Sequence, residues 1–504
     1  MTARIALSPA FTVGRANPRL YGSFVEHLGR CVYTGVYEPD HPAADAEGLR
    51  TDVLDLVREL GVTTVRYPGG NFVSGYRWED GTGPRDDRPR RLDPAWQSTE
   101  SNRFGLAEYA DFVRKVGAEP MLALNLGTRG VAEAMELLEY ANHPGGTALS
   151  ERRAAHGAKD PYGVRLWCLG NEMDGPWQTG HKTAAEYGRL AAETARAMRQ
   201  LDPDPGLELV ACGSSNQGMD TFAAWEATVL GECYDLVDHI SLHAYYEEVD
   251  GDRDSFLASA ADMDAFIRNV AATCDHVAAH RKSKKKLTLS FDKWNVWYQR
   301  RFHQDFARNP PNWSQAPRLL EDSYTVTDAV VVGSLLITLL RNADRVAMAC
   351  QAQLVNAIAP IMTEPGGPAW RQTTFHPFAQ ASAYGRGTVL DVRPQSPAHG
   401  TERYGEVPLL HATAVLDEAT SAVTVFAVNR SQHDELPLEI ALHGMALTEL
   451  TEHSVVSDPD PEARNTLSDP DRVTPHRATR ATLDASGRVR TVLEPLSWNV
   501  IRLT

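Results

Sequence analysis

Eight short apolar runs, set apart by helix-like stretches, occupy residues 19 to 380 and leave few folds open. They lie at 19–27, 62–70, 119–127, 163–171, 207–215, 237–245, 286–294 and 344–352. Most are rich in Val, Leu and Ile, as strands covered on both faces are. The segment at 49–60 is amphipathic and ends at Gly61, a C-terminal glycine stop. Another, at 183–201, repeats apolar residues every three or four positions. A third, at 325–343, is apolar nearly all round and is expected to be a deeply packed helix; Thr, Asp and Gly break it up too much for a membrane span. Eight strands with helices between them predict an α/β fold, a closed (β/α)8 TIM barrel. An open doubly wound sheet would carry a glycine-rich phosphate loop after its first strand, and YGSFVEHLGR is not one.

Past residue 385 the texture changes. Runs such as AVTVFAVNR and RTVLEPLSWNVIRL are β-prone, and turn-rich stretches separate them. An antiparallel β-sandwich is expected there. The opening ARIALSP is strand-like and is a candidate to pair into it. The expected division is a barrel over 16–384 and a sandwich made of 1–15 plus 385–504. A chain of 504 residues is long enough for both. The segment at 299–320, rich in Arg, Pro and Trp, reads as a long loop that either covers a pocket or packs on another subunit.

Acidic residues number 66 and basic ones 50, an excess of 16 that argues against nucleic acid and against anionic membrane surfaces as partners. No export signal is visible in MTARIALSPAFTVGR, and the six scattered cysteines include no CxxC pair. A cytoplasmic protein with buried free thiols is the expectation.

In a barrel of this kind chemistry collects where strands end. Those positions hold Glu26 and His27, Arg66 and Asn71, Asn125, Asn171 and Glu172, then Ser214, Ser215 and Asn216. The last three strands add His243 and Tyr245, Lys293, Trp294 and Asn295, and Gln353. Amides bind hydroxyls and aromatic faces stack on sugar rings, so the collection suits a carbohydrate. Only Glu26 and His27 are close neighbours among possible metal ligands, so neither a metal nor a cofactor is expected.

Five motifs in order carry a family resemblance: YGSFVEHLGRCVYTGVYEP, VRYPGGNFVSGYRWEDGTGP, WCLGNEMDGPWQTGHKTAAEY, HISLHAYY and FDKWNVWY. Together they resemble family 51 of the glycoside hydrolases, chiefly α-L-arabinofuranosidases. The resemblance implies a retaining hydrolase that takes terminal arabinofuranosyl groups from arabinan or arabinoxylan oligosaccharides. It implies that Glu172 is the general acid/base and that Asn171 holds the sugar 2-hydroxyl. Glu26, Asn71 and Gln353 match positions that contact the terminal arabinofuranose, Tyr245 matches a tyrosine beside the nucleophile, and Trp294 falls in the seventh-strand motif as a further substrate contact. Homo-oligomers, hexamers among them, are implied as well.

The departure is at that seventh motif. The family reads Asp-Glu-Trp-Asn, with the Glu as nucleophile; this chain reads Asp292-Lys293-Trp294-Asn295. A protonated lysine has no lone pair for the anomeric carbon, and its charge repels an oxocarbenium-like transition state. It should also form a salt bridge with Glu172 and hold that acid ionised. Strand alternation is expected to turn Asp292 away from the pocket. Strongly impaired hydrolysis follows. The alternatives are a non-catalytic arabino-oligosaccharide-binding protein and a related glycosidase such as a β-xylosidase or endoglucanase.

Overall fold

The computed structural model describes residues 2–202 and 206–504. Its centre is a closed barrel of eight parallel strands in sequence order. Barrel strands one to four are Gly22–Phe24, Thr64–Tyr67, Glu119–Ala123 and Leu166–Leu169. Strands five to eight are Glu208–Ala211, His239–Tyr246, Thr288–Val296 and Val346–Ala352. The first five and the last fall inside the expected windows; strands six and seven run one and two residues further. Met121, Ala123, Leu166, Cys168, Val210, Met348 and Cys350 fill the interior, which makes it a packed core. At Gly22 the chain allows no side chain: a Cβ there would lie 2.6 Å from the Ala349 carbonyl oxygen of strand eight.

The expected helices form. Thr51–Leu60 ends at Gly61 with φ +77, and Ala184–Leu201 starts at a capping box made by Thr183 and Glu186. Val326–Arg341 is buried at every position before Arg341. No helix among the described residues is long and apolar enough to cross a membrane. All six cysteines are buried and free. The stretch expected to be a long loop contains a helix, Gln299–Arg308. Phe302 and Phe306, one turn apart, supply its apolar side and pack against each other, and Phe302 also packs against Trp297.

Two sheets follow the barrel, one of four strands and one of seven. Their facing apolar residues, among them Ile5, Leu390, Val425, Ile440 and Ile501, make a separate core. The N-terminal residues enter both sheets. Thr12–Arg15 pairs antiparallel with Thr388–Leu390, but Ala3–Leu7 pairs with Leu436–Leu442 in parallel, so the sandwich is not wholly antiparallel. A hairpin of Ala398–Thr401 and Gly405–Pro408 leaves the sheets and meets the barrel, where the Arg403 backbone N–H donates to Ser255 Oγ at 3.1 Å.

The long buried helix ties the two parts together at Gly333. A Cβ there would meet Trp498 of the seven-stranded sheet at 2.4 Å. Trp498 cannot yield easily: it is fully buried, stacks on Phe426 at 5.5 Å and donates from Nε1 to Gln380 Oε1 at 2.8 Å. A helix-interior glycine costs about 1 kcal/mol against alanine, and the close approach explains why it stands here. Gly333→Val should lower unfolding stability by about 1–3 kcal/mol through overpacking, read by urea denaturation; unchanged stability would show that the junction is loose.

Candidate active site

Strands four, six and seven bring Glu172, His243 and Lys293 together at their C-terminal ends. Lys293 Nζ donates to Glu172 Oε1 at 2.7 Å, and both residues are buried. His243 Nδ1 lies 2.9 Å from the same oxygen, and Trp177 Nε1 donates to Glu172 Oε2 at 2.9 Å. On its other side His243 Nε2 lies 2.7 Å from Asp292 Oδ1. Glu172 itself has φ +45, a left-handed conformation that a non-glycine residue holds only when its surroundings fix it.

An irregular register places both Asp292 and Lys293 near this centre. Ser241 pairs with Ser290, but His243 pairs with Lys293, so strand seven carries one extra residue over that interval. Simple alternation therefore fails. Asp292 does not line the cavity, yet it is not turned away from the site: it lies beneath the cavity, fully buried, and is joined to Glu172 through His243. Burial raises the Asp292 carboxyl, but the Arg66 charge and hydrogen bonds from His243 and Ser290 outweigh it and leave it below the usual range.

A second cluster lies beside the pair. Glu26 Oε1 accepts from the Phe72 backbone N–H and from Trp96 Nε1, each at 3.0 Å, and Glu26 Oε2 accepts from Gln353 Nε2 at 2.8 Å. Gly70 makes room for this carboxylate, since a Cβ there would lie 2.2 Å from Glu26 Oε2. Asn71 also lines the cavity, and its buried Oδ1 has no hydrogen-bond partner among the described residues. The Tyr245 ring faces Lys293 Nζ at 5.9 Å.

Glu26, Asn71, Glu172, Ser215, Asn216, Tyr245, Lys293 and Gln353 thus share one cavity of about 740 Å³. Other expected residues do not reach it. Trp294 is fully buried outside it, because Lys293 occupies the rim and the next residue turns into the core. Asn171 is buried just behind, accepting from Arg66 Nη2 at 3.1 Å. Asn295 donates to the carbonyl oxygens of Ala352 and Ile358, and Asn125 to that of Tyr76, so both brace loops. The Ser214 backbone N–H donates to Glu226, and His27 lies between Tyr67 and Glu100.

The cavity also takes residues that sequence reasoning missed. Trp96 and Trp177 come from long loops, Phe302 and Phe306 from the short helix, and Arg403 and Tyr404 from the sandwich hairpin. Trp177 was within reach, being five residues after Glu172 in one motif; the hairpin left no local signal. Among the described residues no group of three His, Cys, Asp or Glu is arranged to hold a metal ion.

Comparison with known proteins shows the family. A family model described as an α-L-arabinofuranosidase 1 domain matches residues 56–266, and one described as an α-L-arabinofuranosidase C-terminal domain matches 292–497. An intracellular exo-α-(1→5)-L-arabinofuranosidase of Streptomyces lividans is 72% identical, over 99% of this chain and 75% of its own length. One of the same description from Halalkalibacterium halodurans is 53% identical over 100% of this chain and 99% of its own. Among solved structures, a family 51 α-L-arabinofuranosidase of Bifidobacterium longum superposes with a TM-score of 0.95 at 46% identity, covering 100% of this chain and 99% of that one. An arabinose complex of the Thermotoga maritima α-L-arabinofuranosidase superposes with a TM-score of 0.87 at 33% identity, covering 99% of each. The chain belongs to the family 51 α-L-arabinofuranosidases.

Proposed function

We propose that this chain is an exo-acting α-L-arabinofuranosidase framework that binds terminal arabinofuranosyl groups of short cytoplasmic arabino-oligosaccharides and hydrolyses them poorly. Glu26, Asn71 and Gln353 receive the furanose hydroxyls; the unpartnered Asn71 Oδ1 offers an acceptor to one of them. Glu172 stands as the general acid/base of a retaining mechanism, and Lys293 occupies the nucleophile's place. Relatives named as exo-α-(1→5) enzymes support 1→5-linked chains as the ligand.

The 2.7 Å contact between Lys293 and Glu172 carries the proposal. Retaining hydrolysis uses two carboxyl groups about 5 Å apart, with the anomeric carbon between them. One protonates the departing oxygen while the other forms the glycosyl ester. An ammonium in contact with the acid closes that gap and brings no attacking lone pair. It disables the acid too. Burial alone would raise the Glu172 carboxyl; the Lys293 charge and the His243 hydrogen bond reverse this and hold it well below the ordinary carboxylate range. An acid that stays ionised has no proton for the leaving oxygen. Removing a member of a covalent catalytic set costs on the order of 10^4–10^6 in kcat.

A second reading, a binding protein without turnover, is favoured by the same observation: the Glu26–Gln353 cluster is intact while the nucleophile's place is taken. The two differ in residual hydrolysis.

Lys293→Glu replaces the ammonium with a carboxylate and raises the Glu172 carboxyl by like-charge repulsion. Hydrolysis of an aryl α-L-arabinofuranoside should rise by at least about 10^3-fold; no gain over the unsubstituted chain would refute the assignment of Lys293.

Lys293→Met tests the ion pair by itself. Removing one partner of a buried pair costs about 3–5 kcal/mol, and the low end applies because His243 and Trp177 still bond to Glu172. The Glu172 carboxyl is depressed in the fold, so its contribution is fully present above the unfolded value of about 4.3 and fades as pH falls below it. The stability deficit of the variant should be largest at pH 7 and shrink below about pH 4. Urea denaturation giving the same deficit at both would show that Lys293 does not hold Glu172 ionised.

A further inference from the structure

We infer that the cavity contains a second sugar subsite where the two-sheet domain meets the barrel, and that Tyr404 and Arg403 there bind a sugar unit on the leaving-group side of the bond to be cleaved. The inference rests on the arabinofuranosidase reading of the same cavity.

One strand leads from the reacting centre to this place. On strand six, His243 contacts Glu172 and the Tyr245 ring faces Lys293. The next residue, Tyr246, donates from its hydroxyl to Asp262 Oδ2 at 3.1 Å, and Gln217 Nε2 donates to Asp262 Oδ1 at 2.5 Å. Arg403 and Tyr404 of the Ala398–Pro408 hairpin line the same cavity, and the Arg403 guanidinium lies over the Tyr404 ring at 5.6 Å from its centroid. Arg403 is exposed. Its backbone N–H is pinned to Ser255 Oγ, so the hairpin is held at the cavity edge rather than swinging free.

The chemistry there fits a neutral, hydroxyl-rich ligand. A tyrosine ring offers a face to the C–H side of a sugar, and a guanidinium, an amide and a carboxylate offer planar donors and acceptors to its hydroxyls. Asp262 and Arg403 carry opposite charges within one wall, which selects against an ion of either sign. Burial raises the Asp262 carboxyl, against hydrogen bonds from Tyr246 and Gln217 and the Arg403 charge. The cavity of about 740 Å³ lies in the range that encloses drug-sized ligands, with space beyond one furanose. Because the Glu26 cluster and this wall lie on opposite sides of the Glu172–Lys293 pair along the strand order, a ligand that fills both spans the scissile linkage.

Calorimetry with L-arabinose and with linear α-1,5-arabinotriose tests it on the full chain. The unsubstituted protein should bind the triose more tightly than arabinose. Tyr404→Ala and Arg403→Gln should each cut that ratio by roughly three- to tenfold, with arabinose affinity unchanged, while Tyr404→Phe keeps the ratio. The two variants change different parts of the wall, so a folding defect in one leaves the other as the test. A ratio unmoved by both, or a triose bound no better than arabinose, overturns the subsite and leaves the parent reading standing. A chain that binds neither sugar overturns both.

Discussion

A buried ammonium in contact with a buried carboxylate dominates this site. Two such charges leave water only when each finds strong partners. Glu172 has three, Lys293, His243 and Trp177, and Asp292 backs His243 from below. The network fills the centre of the cavity with opposite charges that satisfy one another. A hydrolase needs the reverse, two carboxyl groups whose mutual repulsion keeps one protonated. In the proposed reading the same geometry that gives the pocket a stable floor removes the asymmetry that catalysis requires.

The barrel and the sandwich are not independent supports for this site. Gly333 lets the buried helix approach Trp498 closely, and the hairpin carrying Arg403 and Tyr404 reaches the cavity from the second domain. The N-terminal residues pass through both sheets before the first barrel strand begins. Removing the sandwich would therefore strip one wall of the cavity as well as a packing partner of the barrel.

Much of the architecture was legible in the sequence because barrel strands buried on both faces must be apolar, and their spacing survives in the chain. Half of the polar strand-end residues named from the sequence line the cavity. Several readings changed in the folded chain. Trp294 lies in the core because it follows Lys293 and alternation turns it to the other face, and Asp292, which does not line the cavity, reaches the site only through His243, where strand seven carries an extra residue. Residues 299–308, read as part of a long loop that covers a pocket or packs on another subunit, form a helix whose Phe302 and Phe306 line the cavity. The first strand joins the sandwich as expected, but in parallel with Leu436–Leu442, a partner more than four hundred residues away.

The sequence by itself determined the strand and helix periodicity, the closed-barrel class and the presence of a lysine where the family resemblance calls for a carboxylate. These are properties of covalent order and side-chain chemistry. Only the tertiary structure decided that Lys293 contacts Glu172, that Asp292 supports His243, and that a hairpin from the second domain completes the cavity. Each depends on register and on distances between segments far apart in the chain, which the packing of whole elements sets and a linear pattern of residues does not encode.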